Sequence, residues 1–146
     1  MPENTSSDHK IIERTLDSVL ESADEAEQLA VEAAGRIGFP EEELHKIGMA
    51  VRESVVNAVV HGNRYNARKK VQLSVCESEG CLTVTVSDEG EGFDVGSLPD
   101  PLAEHNLLQQ SGRGIFLMRT FMDKFEVRRL ARGTEVKLIK CLEGKR

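Results

Sequence analysis

One stretch, residues 44–63 (LHKIGMAVRESVVNAVVHGN), constrains the fold more than any other part of the chain. On a helix, its apolar residues fall on one side at the three- and four-residue spacing of a core face. The opposite side is also largely apolar, which predicts a helix that is buried on both sides. Within that second side, Glu53, Asn57 and His61 follow one another one turn apart.

Polar side chains in a buried stripe are costly unless a partner satisfies them. Because a spacing of four residues places Glu53 and Asn57 on one line of the helix, both are expected to point the same way. They either bond to neighbouring backbone, or the helix forms the floor of a pocket and they project toward a ligand or a ligand-bound cation. These two residues alone do not decide between the interpretations.

Hydrophobic periodicity predicts the elements around this helix. A preceding helix should begin at Ser22, because Glu25 completes a capping box with it, and should end at Gly38. After residue 70 the period changes to two, which predicts antiparallel hairpins with one buried face. The expected strands cover residues 10–16, 71–76, 82–87, 124–130 and 133–142.

The predicted architecture is α+β: a two-layer α/β sandwich with a mixed, mostly antiparallel sheet and helices on one face. A chain of 146 residues can bury one core, so residues 9–146 are expected to form a single domain after a flexible N-terminus at residues 1–8. Residues 94–111 contain prolines and many polar side chains. A loop of this length within a compact domain is usually functional, and here it is expected to be a lid.

Composition excludes several classes of function. The net charge of −6 disfavours nonspecific nucleic-acid binding. No apolar run approaches the roughly 20 residues of a membrane helix, and no signal pattern begins the chain, so a cytoplasmic protein is expected. The odd number of cysteines argues against a disulfide framework, and Cys76, Cys81 and Cys141 are expected to be reduced packing thiols.

The first of three glycine-containing segments follows a predicted strand. Asp88 ends that strand, and Gly90 and Gly92 come directly after it. The glycines allow the backbone to approach a ligand closely, and the carboxylate could accept a hydrogen bond from an exocyclic amine. Taken alone, the segment is also explained as an ordinary acidic turn.

The other two segments are equally ambiguous by themselves. Gly112-Arg113-Gly114 opens a predicted helix, where free N–H groups, the helix dipole and the arginine would favour an anion. Gly133-Thr134 begins the last strand. Both could be plain turns.

In this order, the segments resemble those of the GHKL (Bergerat-fold) ATPases. The resemblance is carried by VRESVVNAVVHGN, VSDEGEGFD and SGRGIFLMRTFMD, with Gly133-Thr134 after them. Within that superfamily, the chain is most similar to the small stand-alone anti-sigma-factor serine/threonine-protein kinases.

The resemblance implies a role for each matching residue. Asn57 would bind the Mg²⁺ that bridges the phosphates of ATP, Glu53 would be the catalytic base, and Asp88 would bind the adenine amine. His61 matches the family's His-Gly, with its role left open. The remaining implied ATP-binding residues are Gly90, Gly92, Gly112, Arg113, Gly114 and Thr134. The one departure is the acidity of the first glycine segment, where Glu89 and Glu91 would need to point to solvent.

The expected function is therefore that of an ATP- and Mg²⁺-dependent anti-sigma factor and protein serine/threonine kinase. It would sequester a sigma factor and phosphorylate a STAS-type anti-sigma-factor antagonist, without direct nucleic-acid or membrane contacts. A homodimer is left open. The alternatives are an ATP-gated regulatory binding module without kinase activity and an ATP-hydrolysing subunit of a larger machine.

Overall fold

A computed structural model describes residues 9–90 and 118–144. The expected flexible N-terminus and the expected lid lie outside these residues. The described strands are β1 (His9–Leu16), β2 (Val71–Ser78), β3 (Cys81–Ser87), β4 (Lys124–Arg129) and β5 (Thr134–Cys141). The two long helices are α1 (Glu21–Ile37) and α2 (Glu41–Asn57), and α2 continues into a π-helical turn, Ala58–Gly62.

The strands form one sheet in the order β1-β2-β3-β5-β4. Each pair of neighbours is antiparallel, so the expected mixed sheet is purely antiparallel across the described strands. Alternate side chains of β2 and β3 are buried, as the period of two predicted. They form a core with α1 and α2, which confirms the α+β architecture.

Small side chains allow α1 to pack closely on α2. The buried face of α1 is made almost entirely of alanines, namely Ala23, Ala26, Ala30, Ala33 and Ala34. Gly38 ends the helix as predicted, with a φ of 115° and its N–H donating to the Ala34 carbonyl. The predicted cap is wrong: Ser22 lies inside the first turn, where its hydroxyl donates to the Asp17 carbonyl at 2.7 Å.

A disulfide joins Cys81 to Cys141, so the expectation of reduced thiols is wrong for these two residues. The cause is the strand order: β5 lies beside β3, which makes Cys81 and Cys141 direct cross-strand partners with Cα atoms 4.0 Å apart. Cys76 lies opposite Thr83 and is free. Between residues 9–90 and 118–144, no helix has the length and apolar character needed to cross a membrane.

Candidate functional site

The site is centred on Asp88, the first residue after β3, which is only 9% exposed. Its Oδ1 accepts hydrogen bonds from the N–H of Gly90 at 2.9 Å and of Thr134 at 3.3 Å. Its own N–H donates to the Thr134 carbonyl at 2.9 Å. Two residues that the sequence placed in separate glycine segments are therefore hydrogen-bonded neighbours. The second carboxylate oxygen, Oδ2, accepts no hydrogen bond from any residue that the structure describes.

Three glycines surround Asp88 so closely that no side chain would fit in their place. A Cβ on Gly62 would overlap the Asp88 carboxyl group, and one on Gly133 would overlap the Asp88 carbonyl oxygen. A Cβ on Gly90 would overlap the carbonyl oxygen of Gly62. The backbone at the end of the π-helical turn and at the start of β5 therefore packs directly against Asp88 at the end of β3. Glycine at these three positions is what lets the three segments meet around Asp88.

Burial raises the pKa of the Asp88 carboxyl above its ordinary value of 3.8. The N–H groups of Gly90 and Thr134 and the positive charge of Lys69 act in the opposite direction, and burial outweighs them. An external donor to Oδ2 would favour the ionised form and relieve part of this cost. The electrostatics of the site therefore match a ligand that brings a hydrogen-bond donor.

On α2, Glu53 and Asn57 are half-buried, one turn apart. Among residues 9–90 and 118–144, neither side chain has a hydrogen-bond or ion-pair partner, so bonding to neighbouring backbone does not account for them there. Between them Ser54 is buried, and its hydroxyl donates to the Met118 Sδ at 2.8 Å. This contact holds the helical residues that follow the predicted lid against α2.

The π-helical turn links this polar line to Asp88. The turn begins directly after Asn57 and ends with Gly62, whose Cα faces the Asp88 carboxyl group. His61, one residue earlier, is exposed and has no described partner. The structure therefore brings Gly62, Asp88, Gly90 and Thr134 together, with Asn57 one π-helical turn away. Four predicted site residues lie outside the described part of the chain: Gly92, Gly112, Arg113 and Gly114.

Asn63 belongs to this region and was not singled out from the sequence. It is 1% exposed, and its Oδ1 accepts from the Glu89 N–H at 2.8 Å, directly beside Asp88. Its position after His-Gly in a polar loop carried no signal that distinguishes it from an exposed turn residue. Glu89 was expected to point to solvent, but its carboxylate is half-buried and accepts from the Lys70 N–H at 3.2 Å.

Two described side chains have the chemistry to contact a nucleotide and its cation. The side-chain amide oxygen of Asn57, which has no partner in the described part of the chain, is a ligand type that Mg²⁺ accepts together with phosphate oxygens. Within the described residues, no group of three or more His, Cys, Asp or Glu side chains could hold a metal ion. Asp88 offers its Oδ2, an acceptor that no residue in ranges 9–90 and 118–144 uses, beside glycine backbone, and this fits an amino-substituted base.

Known proteins share both the sequence pattern and the fold. Residues 16–140 match the family described as the histidine kinase-like ATPase domain. The anti-sigma F factors of Bacillus thuringiensis (strain Al Hakam) and Bacillus mycoides (strain KBAB4) are each 38% identical to this chain over 106 residues. These residues cover 70% of this chain and 73% of each relative.

A solved structure of the RsbU and RsbW domains of Rv1364c from Mycobacterium tuberculosis matches with a TM-score of 0.65 at 20% identity. The match covers 91% of this chain but only 32% of that longer chain, so it establishes the fold of this chain alone. The family match over most of the chain and the 38% identity to curated relatives agree with the fold. The chain therefore belongs to the histidine kinase-like ATPase family, in the GHKL group that includes the anti-sigma F factors.

Proposed function

We propose that this protein is an ATP- and Mg²⁺-dependent anti-sigma factor that also acts as a protein serine/threonine kinase. It would hold a sigma factor in the cytoplasm and phosphorylate a small anti-sigma-factor antagonist on a hydroxyl side chain. The observation that carries the proposal is the Asp88 site: a buried carboxylate with one oxygen that no described residue contacts by a hydrogen bond, packed against three glycines and joined through the π-helical turn to Asn57 and Glu53. The names of the similar Bacillus proteins support the partner class.

The adenine end of ATP would lie against Asp88. Oδ2 would accept a hydrogen bond from the exocyclic amine, while Oδ1 stays bonded to the N–H groups of Gly90 and Thr134. Gly62 and Gly90 let the π-helical turn and the end of β3 pack together beneath this carboxylate, because a Cβ at either position would overlap the Asp88 carboxyl group or the Gly62 carbonyl oxygen. The phosphates would then extend along the polar line of α2 toward Asn57.

At the phosphate end, Asn57 would hold the cation through its amide oxygen, with Arg113 and its flanking glycines contacting the phosphates. When bound, Mg²⁺ neutralises phosphate charge in the transition state. Glu53, one turn before Asn57, would accept the proton of the attacking hydroxyl. Phosphoryl transfer depends mainly on positioning and charge neutralisation, and these residues supply both.

A phosphoryl-transfer assay with the Glu53→Gln variant tests the kinase assignment. Radiolabelled ATP, Mg²⁺ and the cognate antagonist are mixed with the wild type, with Glu53→Gln or with Glu42→Gln, a matched control on the exposed first turn of the same helix. Transfer by Glu53→Gln should fall by roughly 10²- to 10⁴-fold, the usual contribution of a general base, with nucleotide affinity nearly unchanged. The control should match the wild type.

Two results would contradict the proposal in different ways. If the wild type binds the antagonist and ATP but transfers no label over hours, the protein is an ATP-gated binding module and not a kinase. If Glu53→Gln loses ATP affinity while its rate at saturating ATP is unchanged, Glu53 contributes to binding and not to proton transfer.

A further inference from the structure

Both polar atoms of the Asn63 side chain form hydrogen bonds, and their partners lie in three different connections of the chain. Its Oδ1 accepts from the Glu89 N–H at 2.8 Å. Its Nδ2 donates to the Ser18 Oγ at 2.9 Å and to the Lys70 carbonyl at 3.0 Å. Because the residue is 1% exposed, losing one of these partners would leave a buried polar group without a hydrogen bond, which is costly.

These bonds form a closed network with the segment that follows β3. The Glu89 carboxylate accepts from the Lys70 N–H at 3.2 Å, so Asn63 and Lys70 hold both ends of Glu89. Ser18 also donates to the Lys69 carbonyl, which ties the connection between β1 and α1 to the same loop. The network therefore fixes the peptide unit between Asp88 and Glu89 from outside the sheet.

The position of this peptide unit determines where the Asp88 carboxylate points. On one side, the start of β5 holds Asp88 through Thr134. On the other side, the Gly90 N–H holds the Asp88 Oδ1, and Gly90 is placed by Glu89. Asn63 is the buried side chain that anchors Glu89 through its backbone N–H. A shift of Glu89 would therefore turn Asp88 without breaking the sheet.

We propose that Asn63 is a positioning residue that sets nucleotide base selectivity by holding the Asp88–Glu89 peptide in place. The inference rests on the proposed function, in which Asp88 accepts a hydrogen bond from the adenine amine. Guanine carries an oxo group at the equivalent ring position, which repels a carboxylate oxygen. Selectivity for ATP over GTP then requires a fixed Asp88, since a carboxylate that can turn away loses the bond to adenine and no longer rejects guanine.

Three variants separate positioning from general stability. Asn63→Ala removes every bond, whereas Asn63→Asp keeps the acceptor for the Glu89 N–H and loses the two donated bonds. Asn66→Ala is the matched control, because Asn66 lies in the same loop, is exposed, and its side chain accepts a hydrogen bond only from the Arg68 N–H among the described residues. Asn63→Asp buries a charge and should be at least as unstable as Asn63→Ala. A purely structural role therefore predicts that selectivity follows stability.

The measurements are ATP and GTP dissociation constants by calorimetry, thermal unfolding, and hydrogen exchange of the Glu89 N–H without nucleotide. The ratio of ATP to GTP affinity should fall about fivefold in Asn63→Ala, the effect of one net hydrogen bond, and stay within about twofold of wild type in Asn63→Asp. Exchange of the Glu89 N–H should accelerate in Asn63→Ala and not in Asn63→Asp or Asn66→Ala. If the alanine variant does not fold, Asn63→Leu gives the same test at nearly full side-chain volume.

An unchanged affinity ratio in a folded Asn63→Ala or Asn63→Leu variant overturns the inference and leaves the proposed function intact. A ratio that falls equally in Asn63→Asp overturns it as well, because selectivity then follows stability. If the wild type binds neither nucleotide, the proposed function fails, and Glu89 exchange in the same variants still shows whether Asn63 holds the loop.

Discussion

Replacing Asp88 with asparagine should lower the affinity for ATP and raise the free energy of unfolding at neutral pH. The two N–H groups of Gly90 and Thr134 require an acceptor, so the asparagine oxygen should take the place of Oδ1. The amide nitrogen would then occupy the position of Oδ2 and present a donor to the adenine amine, which is also a donor. The hydrogen bond to the adenine amine is therefore lost, whereas the amide nitrogen could donate to the oxo group of guanine.

The expected loss of ATP affinity follows from the bond that disappears. A hydrogen bond to a charged group contributes about 1.5–3 kcal/mol, which corresponds to roughly a 10- to 100-fold change in the dissociation constant. The 9% exposure of Asp88 places this bond away from bulk water, so the upper half of that range is expected. GTP affinity should stay the same or rise.

Stability should change in the opposite direction. The pKa of Asp88 is raised, chiefly by burial, which means that the ionised form costs more in the folded protein than in the unfolded chain. This cost is fully present above the folded-state pKa and disappears as the pH falls through it toward the ordinary value of 3.8. Asp88→Asn should therefore be more stable than the wild type at neutral pH, and the advantage should shrink as the solution is acidified.

Calorimetric titration with Mg²⁺-ATP and Mg²⁺-GTP measures the first effect, and urea unfolding from neutral pH to about pH 4 measures the second. The argument is refuted if Asp88→Asn binds ATP as tightly as the wild type. It is also refuted if the variant is less stable at neutral pH, since the hydrogen bonds to Oδ1 would then outweigh the burial of the charge.

Three further changes have defined outcomes. Gly62→Ala should abolish measurable ATP binding, because its Cβ overlaps the Asp88 carboxyl group. Gly35→Ala, which has open space around it on α1, should instead raise the free energy of unfolding by about 0.5–1 kcal/mol. Calorimetric titration and urea unfolding of both variants check this. Cys81→Ser should lower the free energy of unfolding by up to about 4 kcal/mol, because the disulfide closes a loop of 60 residues, and Cys76→Ser should have little effect under the same non-reducing conditions. Asn57→Ala should remove the Mg²⁺ dependence of ATP affinity, and an unchanged response to Mg²⁺ titration would exclude it as a ligand.

The sequence predicted the parts of the fold that depend on local pattern. Alternation in residues 71–76 and 82–87 identified β2 and β3, and the glycine at position 38 identified the end of α1. The cap of α1 was wrong because Ser22 satisfies the Asp17 carbonyl behind it, and no local rule distinguishes that bond from a capping bond.

Features that depend on strand order could not be predicted in this way. β5 lies between β3 and β4, and this order depends on contacts between residues far apart in the sequence. It also brings Cys81 beside Cys141, where they form the disulfide. The sequence identified Asp88 and Thr134 through resemblance, but their direct hydrogen bonds follow from the β3–β5 pairing. Asn63 was missed because its importance comes from burial, which its polar sequence context conceals.

The place of β5 also determines when, during synthesis of the chain, the site can first exist. Asp88 is made 46 residues before its partner Thr134, so the ribosome releases β1, β2 and β3 while the edge of β3 is still unpaired. Until β5 emerges and joins that edge, Asp88 lacks the backbone that orients it, and nucleotide has no completed site to stabilise. The newly made chain therefore passes through an interval in which the edge of β3 is open next to the future site, and an unpaired strand edge of this kind favours aggregation.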